Sequence, residues 1–171
     1  MTSSTTDVIT WGMMLKKAPF IMRNLPRIIK GLKIGNITDP AQPCGLGWTF
    51  EQAVKRNPRG TAILYENTRF SYDEFNQWGN RIAHYLMSQG IKKGELVGIL
   101  RENRPELLAA VLGVSKIGAV CAMLNTSQTG KVLIHSFNLV NPKAAIVGGE
   151  LTDAFDEVRS ELNVEDDKIF F

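Results

Sequence analysis

The stretch that decides the fold is GELVGILRENRPELLAAVLGVSKIGAVCAMLN, residues 94–125. It contains a short apolar run at 96–100, an apolar segment at 106–117 and a second apolar run at 119–124. The order strand, helix, strand with short connections predicts a βαβ unit, whose two strands lie parallel with a right-handed crossover. Neither run alternates apolar with polar residues, so we expect both strands to be buried on both faces.

Local signals mark both ends of the helix in this unit. Asn103 is a candidate N-cap residue, and Pro105 falls in the first turn. Gly118 fits the left-handed position that follows the last turn. The helix is apolar on most of its surface, so it should lie against the sheet with little of its face in water.

Strand and helix patterns continue on both sides of this unit. Before it, the sequence predicts a short helix at 48–55, a hairpin from 61–65 and 69–72, and a helix that a capping box of Ser71 and Glu74 begins. That helix should bury one stripe, formed by Phe75, Trp78, Ile82, Tyr85 and Leu86.

The second half of the chain repeats the alternation. We expect a crossover helix at 130–140, a buried strand at 144–147, a helix within 149–163 and a further strand beginning at 168–171. These patterns predict an α/β fold, a partial and mostly parallel sheet with crossover helices.

Charge separates the first segment from the rest of the chain. Residues 1–38 hold six basic residues and one acidic residue, a net charge of +5, while the remaining 14 basic and 16 acidic residues give −2. The six cations are Lys16, Lys17, Arg23, Arg27, Lys30 and Lys33. An asymmetry of this kind favours an anionic surface as the partner of the first segment only.

The first segment, residues 1–35, combines these cations with an amphipathic pattern. Its apolar residues Ile21, Leu25, Ile28 and Leu32 share one helical face. No apolar run approaches the ~20 residues that a membrane-spanning helix needs. Two interpretations remain open. The six cations contact an anionic membrane while the apolar face lies in its interface, or the helix packs on a part of the protein outside this chain.

Composition excludes several classes of protein. The two cysteines, Cys44 and Cys121, are far apart, and two histidines form no cluster, so we expect no disulfide framework and no metal site. Basic residues do not interleave with aromatic residues as a nucleic-acid platform requires. We expect a cytoplasmic protein, with a peripheral position on the inner face of a membrane as the alternative.

One loop carries the ingredients of a phosphate site. Its candidate residues are Thr126, Ser127, Thr129, Gly130 and Lys131. They follow a predicted strand and open a predicted helix, where backbone N–H groups and the helix dipole favour an anion. The loop lacks the glycine spacing of a P-loop, and capping of the helix by Ser127 or Thr129 explains the same residues.

Two sets of residues resemble the opening of the adenylate-forming acyl-CoA synthetases. The first set, between residues 69 and 125, consists of Tyr72, Phe75, Asn76, Gly90, Gly94, Glu95, Val97, Asn103, Glu106, Gly113, Gly118 and Ala119, with Glu95 where the family usually has Asp. The second is similar to the fatty-acid-transport and very-long-chain branch, and consists of Asn125, Thr126, Leu133, His135, Val147, Gly148, Glu150 and Leu151.

The resemblance implies that residues 48–171 are the first part of a large N-terminal AMP-binding domain, after a linker at 36–47. It implies a fatty acid, ATP with Mg²⁺, and coenzyme A as the ligands of the complete enzyme. The reactive motifs of the family, including the true phosphate loop, belong after residue 171. We therefore expect no catalytic residue and no metal ligand here, no tight cofactor binding and no activity.

The missing remainder of the enzyme would be the main partner of such a fragment, and exposed sheet edges would favour self-association. Two other hypotheses remain. The chain is a stand-alone module for membrane tethering or protein interaction, or a small nucleotide-binding protein that uses Thr126 to Lys131. The coding sequence after Phe171 would discriminate between a shortened ligase and a module.

Overall fold

A computed structural model describes residues 11–35 and 44–171, so the predicted linker lies mostly outside the described residues. The chain forms two units, residues 1–43 and residues 44–171. The first unit contains one long helix, α1 (Trp11–Gly35). Every strand that the structure describes belongs to the second unit.

The second unit begins with the elements that precede the sheet. Helix α2 (Leu46–Arg56) is followed by the antiparallel hairpin of β1 (Thr61–Tyr65) and β2 (Thr68–Ser71), and then by α3 (Tyr72–Ser88). The hairpin is therefore confirmed. So is the capping box, since the Ser71 hydroxyl accepts from the Glu74 N–H while the Glu74 carboxylate accepts from the Ser71 N–H.

Four parallel strands form the main sheet. They are β3 (Leu96–Leu100), β4 (Val120–Met123), β5 (Ala144–Val147) and β6 (Ile169–Phe170), in the spatial order β4-β3-β5-β6. Val97 of β3 lies beside Cys121 on one side and Ala144 on the other. The crossovers are α4 (Pro105–Lys116) and α5 (Gly130–Val140), so the predicted parallel sheet is confirmed.

The sheet has a core on each face. On one face α3 and α4 bury Leu86, Ala110 and Val114 against Val97 and Ile99. On the other face α5 and the residues after β5 form a second core, which contains Leu100, Leu133, Phe137, Val147, Phe155 and Val158. Because β3 and β5 each contribute to both cores, they are the central strands on which the two layers are assembled.

The expectation that β4 is buried on both faces is wrong. Val120 is 48% exposed and Met123 is 68% exposed. The reason is that β4 is at the edge of the sheet and pairs only with β3 among the strands that the structure describes. A continuous apolar run identifies a strand but not its position within the sheet.

The prediction of one helix within 149–163 is also wrong, because the structure has several short helical turns there. The segment folds as a 3₁₀ turn (Gly149–Leu151), a short α6 (Thr152–Asp156) and a second 3₁₀ turn (Arg159–Glu161). Asn138 of α5 supplies a physical reason, because its side chain donates to the Glu161 carbonyl at 2.8 Å and accepts from the Asn163 N–H at 2.7 Å. The second bond engages the Asn163 N–H, which a continuous helix would itself use, so it favours an end of the helical segment before this residue.

Candidate functional site at the carboxyl edge of the sheet

The carboxyl ends of β3 and β5 lie side by side at the point where the order of the strands reverses. The chain crosses from β3 to β4 on one side and then returns to β5 on the other. In open α/β sheets, ligands bind in the crevice outside such a switch point. The residues that follow the two strands here are Arg101 and Glu102 after β3, and Gly148 to Glu150 after β5.

The two loops are tied together at this crevice by the side chain of Glu150. Its Oε1 atom accepts a hydrogen bond from the Glu102 N–H at 2.9 Å. The Gly148 N–H donates to the Leu100 carbonyl at 2.8 Å, which extends the pairing of β5 with β3. A Cβ atom at Gly148 would lie 2.2 Å from Glu150 Oε1, so this close approach of the carboxylate requires a glycine.

Charged side chains surround this contact. Arg101 Nη2 lies 4.0 Å from Glu150 Oε2, and the two side chains are only 20% and 17% exposed. Arg104 Nη2 pairs with Glu102 Oε2 at 2.7 Å. Desolvation alone would raise the pKa of Glu150. The hydrogen bonds from its own amide and the Glu102 amide, together with the charge of Arg101, outweigh that effect and lower the pKa below its usual value.

A pocket of about 320 Å³ adjoins the contact through Arg101. It is lined by Trp78, Arg81, Ile82, Tyr85 and Leu86 of α3, Glu106 and Ala110 of α4, and Arg101, Ile146, Phe170 and Phe171 of the sheet and its ends. The Arg101 Nε and Glu106 Oε2 atoms are buried without a hydrogen-bond partner. A largely apolar pocket with a donor and an acceptor left unpaired is a candidate ligand site.

Tyr85 corrects the predicted buried stripe of α3. Phe75 and Leu86 are buried, but Tyr85 is 49% exposed. Its ring lies 5.0 Å from the ring of Phe170, so it lines the pocket and does not enter the core. Sequence periodicity places Tyr85 on the side of α3 that faces the sheet. The strand β6 is only two residues long and does not cover it.

The predicted phosphate loop lies at the same edge of the sheet, beyond β4. Two of its backbone N–H groups are already engaged, because the Ser127 N–H donates to Asn125 Oδ1 at 2.9 Å and the Gln128 N–H to the Asn125 carbonyl at 3.1 Å. Gly130 has a φ of 50°, and Lys131 is exposed. Among the described residues, the five candidates of this loop, including Thr126, form no hydrogen bond or ion pair with Glu150.

Of two predicted helix caps, one is confirmed in position only and the other is wrong. Thr129 occupies the N-cap position of α5, but its side chain makes no capping hydrogen bond. The N-cap of α4 is Arg104 and not Asn103, again without a side-chain hydrogen bond. In α4, Pro105 at the first helical position removes one N–H that a cap would have served, so the start needs less side-chain help.

Helix α1 presents the predicted membrane-contacting residues. Lys16, Lys17, Arg23, Arg27 and Lys30 are exposed, while the Lys33 side chain lies outside the described part of the chain. At about 100° per residue, Lys16, Arg23, Arg27 and Lys30 fall within about 60° of one another. The face of Ile21, Leu25, Ile28 and Leu32 is 44–69% exposed and extends to Met22 and Ile29. No described helix is long and apolar enough to cross a bilayer.

The remaining candidate chemistry is dispersed. His84 and His135 are exposed on different helices. Burial raises the pKa of the Cys121 thiol to about 11, which keeps it protonated and weakly nucleophilic at neutral pH. Among residues 11–35 and 44–171, no three His, Cys, Asp or Glu side chains are grouped as a metal would require.

The sequence patterns do not identify the residues at the switch point as a site. Glu150 lies almost fifty positions after Arg101 and Glu102 in the sequence. Neither Arg101 nor Glu102 belongs to a motif that the sequence patterns identify. A usable signal was nevertheless present, since charged residues directly follow two apolar strands of one predicted parallel sheet. Such residues meet at the carboxyl edge of the sheet.

Comparison with known proteins identifies the family of the chain. Residues 50–169 match the model of the AMP-binding enzyme family. The chain is 30% identical over 141 residues to the medium/long-chain-fatty-acid–CoA ligase FadD6 of Mycobacterium tuberculosis, a match that covers 82% of this chain and 24% of the relative. It is 32% identical over 114 residues to the long-chain fatty acid transport protein 6 of Mus musculus, which covers 66% of this chain and 18% of that protein.

A solved structure agrees with these relatives. The fold matches a fatty acyl CoA synthetase of Mycobacterium tuberculosis with a TM-score of 0.64 and 28% identity, over 68% of this chain and 24% of that protein. The chain thus spans a quarter or less of the length of these proteins. On the match over residues 50–169, the chain belongs to the AMP-binding enzyme family.

Proposed function

We propose that the chain is the first part of the large N-terminal domain of a long- or very-long-chain fatty acid–CoA ligase. The observation that carries the proposal is the match over 141 residues to a medium/long-chain fatty acid–CoA ligase. The parallel sheet β4-β3-β5-β6 is the contribution of this part. It would act as the scaffold on which the rest of the domain is assembled.

The complete enzyme would join a fatty acid to coenzyme A through an acyl-adenylate, using ATP and Mg²⁺. The described residues do not fit these groups well. The loop at 126–131 uses two of its amides internally, and the described residues hold no cluster of metal ligands. We therefore assign the ATP, Mg²⁺ and coenzyme A sites to the rest of the enzyme, and we expect this chain to be inactive alone.

A chimera tests the scaffold proposal. Residues 50–169 would replace the matching stretch of the Mycobacterium tuberculosis ligase FadD6. We expect the chimera to retain acyl-CoA formation from a fatty acid, ATP and coenzyme A, because the replaced part supplies sheet and not reacting groups. A folded chimera without turnover, beside an active parent, would contradict the proposal.

Contact with an anionic membrane is a second proposal, and it concerns the first unit. It is supported by the exposed apolar face of α1 and by the five described cations on its surface. A helix with these properties binds in the interface of a bilayer with its axis in the membrane plane. The protein would then lie on the cytoplasmic face of a membrane as a peripheral protein.

Self-association and nucleotide binding complete the set of proposals. The exposed Val120 and Met123 make β4 an apolar free edge, which favours pairing between copies. Sedimentation of the chain over a range of concentrations tests this. For the nucleotide-binding alternative, the test is calorimetry with ATP, and binding that Lys131→Ala abolishes would support it.

A further inference from the structure

We infer that Arg101 and the Glu102 N–H form a carboxylate-binding site that Glu150 occupies in this structure. A fatty acid carboxylate would take the place of the Glu150 carboxylate, and its chain would enter the pocket beside Arg101. The choice of a fatty acid rests on the proposed function. The existence of a carboxylate site rests on the geometry alone.

Glu150 shows which donors the site offers. Its carboxylate takes one backbone N–H at 2.9 Å and lies 4.0 Å from the guanidinium of Arg101. An external carboxylate can use the same two groups, because a backbone N–H and an arginine are the usual donors for a bound carboxylate. Arg101 also retains an unpaired donor, since its Nε is buried without a partner.

The Glu150 carboxylate is held loosely enough to be replaced. It accepts one recorded hydrogen bond from outside its own turn, and its distance to Arg101 is that of a long ion pair. The side chain belongs to a 3₁₀ turn of three residues that follows Gly148. The solvent side of that turn is open at Gly149, where a Cβ atom would meet nothing within 4 Å.

Arg101 belongs to both the carboxylate contact and the pocket, which connects a polar head site to an apolar space. The pocket volume of about 320 Å³ lies at the lower end of the range for ligand pockets. Aromatic and aliphatic side chains line it, notably Tyr85, Ile146 and Phe170. These two parts suit a single amphiphile with a carboxylate head, and the pocket would hold the part of the acyl chain next to that head.

The other charges around the pocket determine whether each substitution should raise or lower the affinity for an anionic ligand. Arg81 and Arg101 attract an anionic head, whereas Glu106 and Glu150 repel it. Glu102 contributes its amide to the site, while its carboxylate pairs with Arg104 at 2.7 Å. Removal of either repelling carboxylate should therefore tighten binding, and removal of Arg101 should abolish it.

Calorimetry with decanoate tests the inference on the intact chain, supported by tryptophan fluorescence, to which Trp78 in the pocket contributes. We expect Glu150→Gln to bind decanoate roughly tenfold more tightly than the unmodified chain, because hydrogen bonds to charged groups have about this effect. Asp153→Asn is the matched control, since it removes one exposed acidic charge three positions away. Equal affinity in Glu150→Gln and Asp153→Asn would overturn the inference.

Further ligands and variants separate the head site from the pocket. Acetate and inorganic phosphate, which lack the chain, and decanol, which lacks the carboxylate, should bind at least about tenfold more weakly than decanoate to Glu150→Gln. Tyr85→Ala should weaken decanoate binding, while Met87→Ala, an exposed residue of the same helix outside the pocket, should not. Unchanged binding in Arg101→Met would overturn the site.

The outcome is independent of catalysis, because binding is measured without ATP or coenzyme A. A failure to bind decanoate removes the carboxylate site and leaves the ligase proposal intact. A failure of the chimera removes the ligase proposal and leaves a measured carboxylate site in place.

Discussion

The Glu150 carboxylate accepts a hydrogen bond from the Glu102 N–H at 2.9 Å, across two loops that are 48 positions apart in the chain. The contact joins the carboxyl ends of β3 and β5 at the switch point of the sheet. It depends on Gly148, where any side chain would meet the carboxylate. The glycine and the glutamate of this Val-Gly-x-Glu stretch therefore have one shared structural role.

Substitution at Gly148 tests that role. Its backbone φ of −73° suits alanine, so the cost of Gly148→Ala arises from displacement of the Glu150 carboxylate and not from strain. We expect a loss of about 1.5–3 kcal/mol in the free energy of unfolding, the usual contribution of a hydrogen bond to a charged group. Urea denaturation followed by circular dichroism measures it.

Gly149→Ala is the control for this substitution, because no atom lies within 4 Å of the added methyl group. The change in its free energy of unfolding should stay within about 0.5 kcal/mol. Equal stabilities of Gly148→Ala and Gly149→Ala would show that the contact between Glu150 and Glu102 does not contribute to the free energy of unfolding.

Close packing of α3 on α4 gives a second prediction. A Cβ atom at Gly113 would lie 2.6 Å from Ile82 Cγ2 and 3.0 Å from the Gly79 carbonyl. Gly113→Ala should lower the free energy of unfolding by about 1–3 kcal/mol through overpacking, despite the better helix propensity of alanine. Gly31→Ala in α1, a helical position with open space, should cause no loss. Thermal denaturation compares the two, and a Gly113→Ala variant as stable as the parent would contradict the close approach of the helices.

The capping box predicts a dependence on pH. The Ser71 hydroxyl and then the Ser71 N–H donate to the Glu74 carboxylate, and these bonds lower its pKa from the ordinary value. The stabilisation is present above the unfolded-state pKa and is lost as the pH falls through the folded-state pKa. The melting temperature of Glu74→Gln should fall below that of the parent at about pH 7, and the difference should shrink at about pH 3. A difference that is independent of pH would mean that the charge of Glu74 does not contribute.

Some elements of the fold can be predicted from the sequence more fully than others. Strand β3, the hairpin and the capping box follow from patterns within a few residues, so local sequence is sufficient for them. The exposure of Val120 depends on the position of β4 at the edge of the described sheet. The interruption of the helix within 149–163 depends on the side chain of Asn138, which comes from another helix. Local periodicity contains neither fact.

The candidate site was predicted least well for the same reason. The composition of the loop at 126–131 predicts a phosphate site, whereas Arg101 and Glu150 come together only through the order of the strands. Once the switch point between β3 and β5 is known, the residues that follow both strands can be named directly from the sequence.

Vesicle binding tests the proposed role of α1. The intact chain should co-sediment with vesicles that contain anionic lipid, driven by the apolar face and by about 1 kcal/mol for each cation near the surface. Because of that charge, binding should weaken markedly in high salt. A shortened protein of residues 44–171, which is a compact unit by itself, should remain in the supernatant. Equal sedimentation of the two proteins would remove the proposal.

Pyrophosphate release from ATP, Mg²⁺ and palmitate by the chain alone tests whether it supplies scaffold or adenylation chemistry. Adenylation develops negative charge on phosphate oxygens, and loss of one donor at such a site typically costs about 3 kcal/mol in the barrier. At the loop 126–131, the described residues offer only Lys131 and partly engaged backbone amides. We predict release equal to that of a control without protein. Release above that control, abolished by Lys131→Ala, would contradict the assignment of adenylation to the rest of the enzyme.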